Sequence, residues 1–153
     1  MVRFSAKYPA TIDDKGRVVL PAAFKKMMGA QAENPVAIEM DVYLNCLNIY
    51  PQEHWNIKVQ QIESKLNQFD EADIELLEQF YENFTTVKMA DNGRINIPSD
   101  FLKHGNLQKD VILVGMGTMI RLWDAREYEN RKNVRKPLQD MYREKLGNKR
   151  ESD

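Results

Sequence analysis

A chain of 153 residues, 42% hydrophobic and 29% charged, has the make-up of an ordinary folded protein of one average domain or two small ones. No stretch of eighteen apolar residues occurs, which excludes a membrane-spanning helix, and a single cysteine, Cys46, excludes an intrachain disulfide. The net charge of −1 argues against a uniformly basic nucleic-acid binder. Its distribution is uneven, however. Arg3, Lys7, Lys15, Arg17, Lys25 and Lys26 stand against only Asp13 and Asp14 in the first 28 residues, whereas acid collects in DEADIELLEQFYE. A locally basic face on a neutral molecule can bind phosphates without general stickiness. The N-terminal residues lack the apolar stretch of a secretory leader, so a cytoplasmic location is expected.

In chain order, KYPATI predicts a strand, and the Asp-Lys-Gly that follows predicts a tight hairpin turn at Gly16. VVL is the return strand. Pro21 suits the first turn of a short helix, which Gly29 ends. VAIEMD and YLNCLNIY predict two further strands. Beyond them Trp55, Val59, Ile62 and Leu66 fall on one helical face, and Asp70 suits the N-cap of a second helix carrying Ile74, Leu77 and Tyr81. These two stripes fit a subunit interface and simple packing on the sheets equally well. TTVKM then predicts a strand, Asp-Asn-Gly a turn at Gly93, INI a return strand, and Pro98 to Gly105 a short helix. VILVGMG and MIRLWD complete the strands. After Ala125 the mixed charge predicts a helix fading into a frayed, solvated end.

This order repeats because the chain is a duplication. IDDKGRVVLPAAF at 12–24 matches MADNGRINIPSDF at 89–101, with Asp14, Gly16, Arg17, Pro21 and Phe24 recurring as Asp91, Gly93, Arg94, Pro98 and Phe101 at a constant offset of 77. Ile49-Tyr50 and Trp55 match Leu122-Trp123 and Tyr128 at an offset of 73. The first copy therefore carries four extra residues, which we place in GAQAENP. The fold class is α+β and rich in strands.

Two Gly-Arg turns are the candidate binding elements. Arginine donates two parallel hydrogen bonds to a phosphate or to guanine, and a rigid glycine turn fixes where Arg17 and Arg94 stand. Asp13, Asp14 and Asp91, with Gly16 and Gly93, are read as loop-shaping residues, and Lys15 at the tip as a phosphate contact. Arg3 and Lys7 extend the basic face or are simply solvated; Lys25 and Lys26 contact phosphate or complement a helix end. Four serines, one cysteine and the isolated His54 and His104 form no triad and no zinc spacing, so neither catalysis nor a metal or other cofactor is expected. His54 reads as a helix-start residue and His104 as a helix-end charge.

The two loops with their following prolines, the YPQEHW segment and the VILVGMG…LW pattern make the chain resemble the MraZ family over about residues 4–128. Members of that family carry two SpoVT-AbrB-type modules. The resemblance implies a double-split β-barrel in which the tandem modules form a pseudo-dimer: a first module at 5–52, connecting helices at 53–80, a second module at 81–124, and a charged C-terminal helix or tail at 125–153. It also implies ring-shaped homo-oligomers and a nucleoid-associated bacterial regulator. Such a regulator binds direct repeats in double-stranded DNA upstream of its own gene and restrains transcription of a division and cell-wall cluster. The family's loop signature, Asp-x-x-x-Arg, is met by Asp13 and Arg17, but Ala90 stands where the second copy should carry the aspartate. The competing reading is an oligomeric scaffold or antitoxin-like protein that binds a partner instead of DNA. The short, mixed-charge tail speaks against it.

Overall fold

Strands buried on both faces, as residues 36–39 and 47–51 are, need two covering layers, and the chain supplies both. The computed structural model describes residues 2–147. Its strands are β1 (Lys7–Thr11), β2 (Arg17–Val19), β3 (Val36–Met40), β4 (Leu47–Pro51), β5 (Phe84–Val87), β6 (Arg94–Asn96), β7 (Asp110–Gly115) and β8 (Ile120–Asp124). The helices are α1 (Ala22–Met28), α2 (Gln52–Ser64), α3 (Glu71–Glu82), α4 (Ser99–His104), α5 (Ala125–Val134) and α6 (Leu138–Tyr142). Six strands form one antiparallel sheet in the order β1-β7-β8-β4-β3-β5, and β2 pairs with β6 in a separate two-stranded ribbon.

Val36, Ile38, Leu47, Ile49, Val111, Leu113, Ile120 and Leu122 point to the inner face of the sheet. There they meet Val18 and Ile95 from the ribbon, and Phe24 and Phe101 from α1 and α4. Phe24 is fully buried and lies edge-on to Phe4 and Tyr8, at 5.6 and 5.0 Å between ring centroids. Truncating such a residue to alanine costs about 3–5 kcal/mol. The outer face is covered in two patches. Trp55 of α2 packs with Ala37, Tyr50, Phe80 and Phe84, and Tyr128 of α5 packs with Cys46 and Trp123.

The ladders do not follow the hairpins that the loops suggest. The turns form locally, with Gly16 N–H donating to Asp13 O and Gly93 N–H to Ala90 O. Within the first copy, however, β1 and β2 share only the bridge between Ile12 and Val18. Instead β1 pairs with β7 of the second copy, and β5 of the second copy pairs with β3 of the first. At Ile12 the incoming strand stays with the other copy, its amide donating to Lys109 O at 2.7 Å.

The exchange obeys a pseudo-two-fold relation visible in the register. Val18 lies opposite Ile95, its own counterpart at the offset of 77, with Arg17 opposite Asn96 and Val19 opposite Arg94. Asn48 lies opposite Arg121, its counterpart at the offset of 73. The register also relocates the extra residues. Ile38 pairs with Ile49 and Leu113 with Leu122, so β3 and β7 are related by 75. Two extra residues therefore lie between α1 and β3, as expected, but two lie in the β3–β4 loop, residues 41–46 against 116–119. Sequence comparison loses them because that loop has no residue shared between the copies.

Helix ends follow the local chemistry with one exception. Asp70 caps α3 by accepting from Asp73 N–H at 3.0 Å. Gly29 ends α1 at φ +55°, but Gly105 has φ −83°, and Asn106 takes the left-handed position at φ +49°. The C-terminal region is more helical than the sequence suggests. Asp124 caps α5 through Arg126 N–H, Pro137 opens α6, and a π-helical turn runs over Arg143–Gly147. The frayed end expected further on lies outside the described residues. Among the described residues no helix is long and apolar enough to cross a membrane.

Candidate nucleic-acid interface

Burying Val18 and Ile95 in the core turns the other ribbon side chains outward. Arg17, Val19, Arg94 and Asn96 thus lie on one face of the β2–β6 ribbon, with Arg17 beside Asn96 and Val19 beside Arg94. A surface groove of about 370 Å³ is lined by Ala10, Thr11, Asp13, Val19 and both arginines. The exchange of strands has brought together two loops that are 77 residues apart in the chain.

The loops differ in how they hold their arginine. In the first, Asp13 Oδ1 accepts from Lys15 N–H at 3.0 Å and from Arg17 N–H at 2.9 Å, and Oδ2 accepts from Arg17 Nε at 2.6 Å. The bond from the Arg17 amide, aided by its guanidinium and the Lys15 amide against a smaller desolvation cost, holds the Asp13 carboxyl below its usual range. Since Nε is engaged, the two terminal guanidinium nitrogens of Arg17 are left to donate outward. In the second loop Ala90 occupies the Asp13 position. Asn92 Oδ1 accepts from Arg94 N–H at 3.0 Å, and no carboxylate holds the Arg94 side chain among the described residues. Asp14 and Asp91 lie exposed at the loop tips and make no side-chain hydrogen bond among the described residues. The turn-shaping polar groups are Asp13 and Asn92.

Gly16 and Gly93 each have a conformational and a bracing role. Both have positive φ, +78° and +89°. Each also sits against the other copy: Gly16 O accepts from Ile97 N–H at 2.8 Å and Gly93 O from Leu20 N–H at 2.9 Å. The loops therefore brace one another's following segment.

Of the cations read from the sequence, Lys15 stands exposed at the first tip. Lys25 of α1 runs its stem to 3.8 Å from where a Gly93 side chain would begin, which brings a cation to the second loop. Sequence reasoning left Lys25 open because the neighbour that gives it a role comes from the other copy. Arg3 and Lys7 are placed elsewhere. Arg3 lies against Gly117 in the β7–β8 turn, and Lys7 donates to Tyr128 Oη at 3.4 Å and lies 5.2 Å from that ring's centroid. Because β1 runs antiparallel to β7, both are at the end of the strand away from the Gly16 loop.

Among the described residues, no group of three His, Cys, Asp or Glu side chains could hold a metal ion. His54 is buried, with Nε2 2.8 Å from Val2 O, so it ties the N-terminal segment to α2. His104 ends α4 with Nε2 3.1 Å from Leu44 O. Burial pushes the Cys46 thiol up to about 12, which leaves it inert as a nucleophile.

Comparison with known proteins agrees with the duplicated architecture. The family model described as "MraZ protein, putative antitoxin-like" matches in two tandem segments, residues 4–77 and 80–140. The chain belongs to the MraZ family. It is 28% identical over 149 residues to the transcriptional regulator MraZ of Christiangramia forsetii, covering 97% of this chain and 96% of that protein. It is 32% identical over 123 residues to the transcriptional regulator MraZ of Bacteroides thetaiotaomicron, covering 80% and 79% of the two chains. For that of Phocaeicola vulgatus the identity is 33% over 122 residues, again covering 80% and 79%. The MraZ family is one of regulators, not of enzymes.

Proposed function

We propose that this MraZ-family chain is a transcriptional regulator that binds double-stranded DNA in a sequence-specific manner through the β2–β6 ribbon. The observation that carries the proposal is that Arg17 and Arg94 line one groove on an antiparallel two-stranded ribbon. A major groove admits a two-stranded ribbon, and arginine reads guanine there through its paired donors. Lys15 and Lys25 supply a phosphate contact at each loop. Arg3 and Lys7 lie outside this interface.

The finer reading follows the family. The interlocked modules form a double-split β-barrel and act as a pseudo-dimer, the target is direct repeats upstream of the chain's own gene, and the outcome is restraint of a division and cell-wall cluster in the cytoplasm. A few phosphate contacts per chain are easily screened by salt, since affinity falls with a slope near −0.9 per neutralised phosphate. Homo-oligomeric assembly overcomes this by making the second contact intramolecular, which raises avidity about 10²–10⁴-fold. The test is fluorescence anisotropy with DNA from upstream of the gene, against a shuffled duplex of equal length, over a salt series. Tighter binding of the upstream DNA is expected; equal affinity for both duplexes would refute sequence-specific recognition.

A further inference from the structure

Two helical surfaces carry apolar side chains that nothing else in the described chain covers. The first is the segment after Pro137. Leu138, Met141 and Tyr142, at i, i+3 and i+4, share one face of α6, and Leu146 follows in the π-helical turn. Leu138, Tyr142 and Leu146 are each at least 59% exposed. Pseudo-symmetry makes this exposure unusual. In the first copy α2 is followed by α3, which returns to cover it, with Phe80 stacked on Trp55 at 5.7 Å. In the second copy the counterpart of α2 is α5, and α6 leads away instead of folding back over it.

The second surface is the α2–α3 hairpin. Phe69 at its bend is 88% exposed, and Ile74 lies half-exposed beside it. Two shallow grooves, of about 690 and 430 Å³, share these two side chains. Glu71, Glu75 and Glu78 line one groove, and Glu63 and Asp73 the other.

The charges of the two surfaces are opposite. From Glu63 to Glu82 there are seven carboxylates and one lysine; from Arg131 to Lys145 there are six cations and two carboxylates. Within one molecule the two surfaces stand apart. The tail departs from α5, which packs on β7 and β8, whereas α3 packs on β5 at the far edge of the sheet. From β7 to β5 is four strand spacings, roughly 19 Å.

We propose that the basic, apolar α6 segment of one copy docks on the acidic Phe69/Ile74 surface of the α2–α3 hairpin of a second copy. This inference rests on the assembly part of the proposed function and names its contact. Leu138, Met141 and Tyr142 fill the grooves around Phe69 and Ile74, and Arg143 and Lys145 face the glutamates at the rim. Every copy presents one tail and one receiving hairpin, so the contact is head-to-tail. It propagates from copy to copy and ends only when a ring closes.

Light scattering on the full-length chain tests this. The wild type is expected at a multiple of 17.9 kDa. Met141→Glu/Tyr142→Glu is expected to reduce the mass to a single chain that stays folded by circular dichroism, because neither residue contributes to the core. Glu75→Lys/Glu78→Lys is expected to dissociate the assembly as well, and adding Arg143→Glu/Lys145→Glu to that chain should restore it. Arg17→Ala, which removes a DNA contact, should leave the mass unchanged. An assembled wild type whose mass survives the tail and hairpin variants would overturn the docking and leave assembly standing. Failure of the doubly reversed chain to reassemble would overturn the pairing of these two surfaces, and a monomeric wild type would overturn both the docking and the assembly.

Discussion

Asn48 and Arg121 occupy the same position in the two copies and face each other across the β4–β8 ladder, where Arg121 Nε donates to Asn48 Oδ1 at 3.1 Å. With Val18 and Ile95 they mark the pseudo-two-fold relation. Unlike that apolar pair, they differ in kind, and the difference lets them bond. Arg121 Nη2 also reaches Asp41 Oδ1 at 3.0 Å, and Asn48 Nδ2 bridges Glu39 and Asp41. A polar network thus ties the halves together on the outer face of the sheet, while the apolar core ties them on the inner face.

Arg121→Ala is therefore expected to destabilise the fold by about 2–4 kcal/mol, because it removes the ion-pair partner of Asp41 and leaves the buried Asn48 Oδ1 without its donor. Urea unfolding measures the loss. The pH dependence has a defined sign. Burial alone would raise the Asp41 carboxyl, but bonds from Asn48 and the Leu44 and Tyr43 amides, with the charge of Arg121, outweigh it and hold the carboxyl below its usual range. A depressed carboxylate contributes stability above its unfolded value and loses it as the pH falls through its folded value. The wild type should consequently lose stability below about pH 4 more steeply than Arg121→Ala. Parallel curves for the two proteins in acid would count against this network.

The two loop glycines should differ in tolerance. A methyl group on Gly16 would lie 2.8 Å from the Ile97 carbonyl oxygen, whereas on Gly93 the nearest atom, the Leu20 carbonyl oxygen, is 3.4 Å away. Both positions require positive φ, so either alanine costs about 1–2 kcal/mol for backbone strain alone. Gly16→Ala adds a clash with backbone that cannot move without opening the bond between Ile97 and Gly16. Thermal unfolding should show Gly16→Ala to be the more harmful by about 1 kcal/mol or more. Equal melting temperatures would show that the close approach at Gly16 is not limiting.

Much of the fold was legible because duplication prints the same punctuation twice. The glycine turns, the prolines at 21 and 98, and the Asp70 cap each act locally, through φ or one nearby hydrogen bond, and all appear as read. What the sequence withheld is non-local. Alternation tells which face of β1 is buried but not whether its ladder partner is β2 or β7, since both offer apolar neighbours. The exchange of strands therefore stayed hidden, and with it the groove shared by Arg17 and Arg94 and the placement of Lys25 beside Gly93. The part played by Asn92 is hidden for another reason: it stands two residues after Ala90, outside the Asp-x-x-x-Arg spacing, yet its side chain accepts the Arg94 amide bond. Arg3 and Lys7 are near the loop in sequence, whereas an extended strand carries them away from it.

Arg17→Ala is expected to weaken binding to upstream DNA more than Arg94→Ala does. Asp13 already holds the Arg17 side chain in one direction, so little rotamer freedom is lost on binding, whereas Arg94 must be ordered by the DNA itself. The loss for Arg17 should be about 1–3 kcal/mol, roughly 5- to 150-fold in affinity. Asp13→Ala should reproduce part of it by releasing the guanidinium. Anisotropy titrations of folded variants decide the ranking, and a larger loss for Arg94→Ala would contradict it.

The last expectation concerns Val19 and Asn96, which are also counterparts at the offset of 77 and are both turned outward between the arginines. Valine offers an apolar contact suited to a thymine methyl group, and asparagine offers the paired donor and acceptor that fit adenine. A ribbon whose arginines are pseudo-symmetric but whose neighbouring side chains are not presents different chemistry to its two half-sites. A non-palindromic box is what such a surface fits. Asn96→Ala should relax the preference at one base pair by about 1–3 kcal/mol while leaving the salt slope unchanged, because no phosphate contact is lost. Arg94→Ala, if it removes a phosphate contact, should instead lower the slope by about one. Binding selections from a randomised box, run for Asn96→Ala and Val19→Ala beside the wild type, make the comparison. A wild-type base preference in both variants would mean that the arginines alone read the sequence.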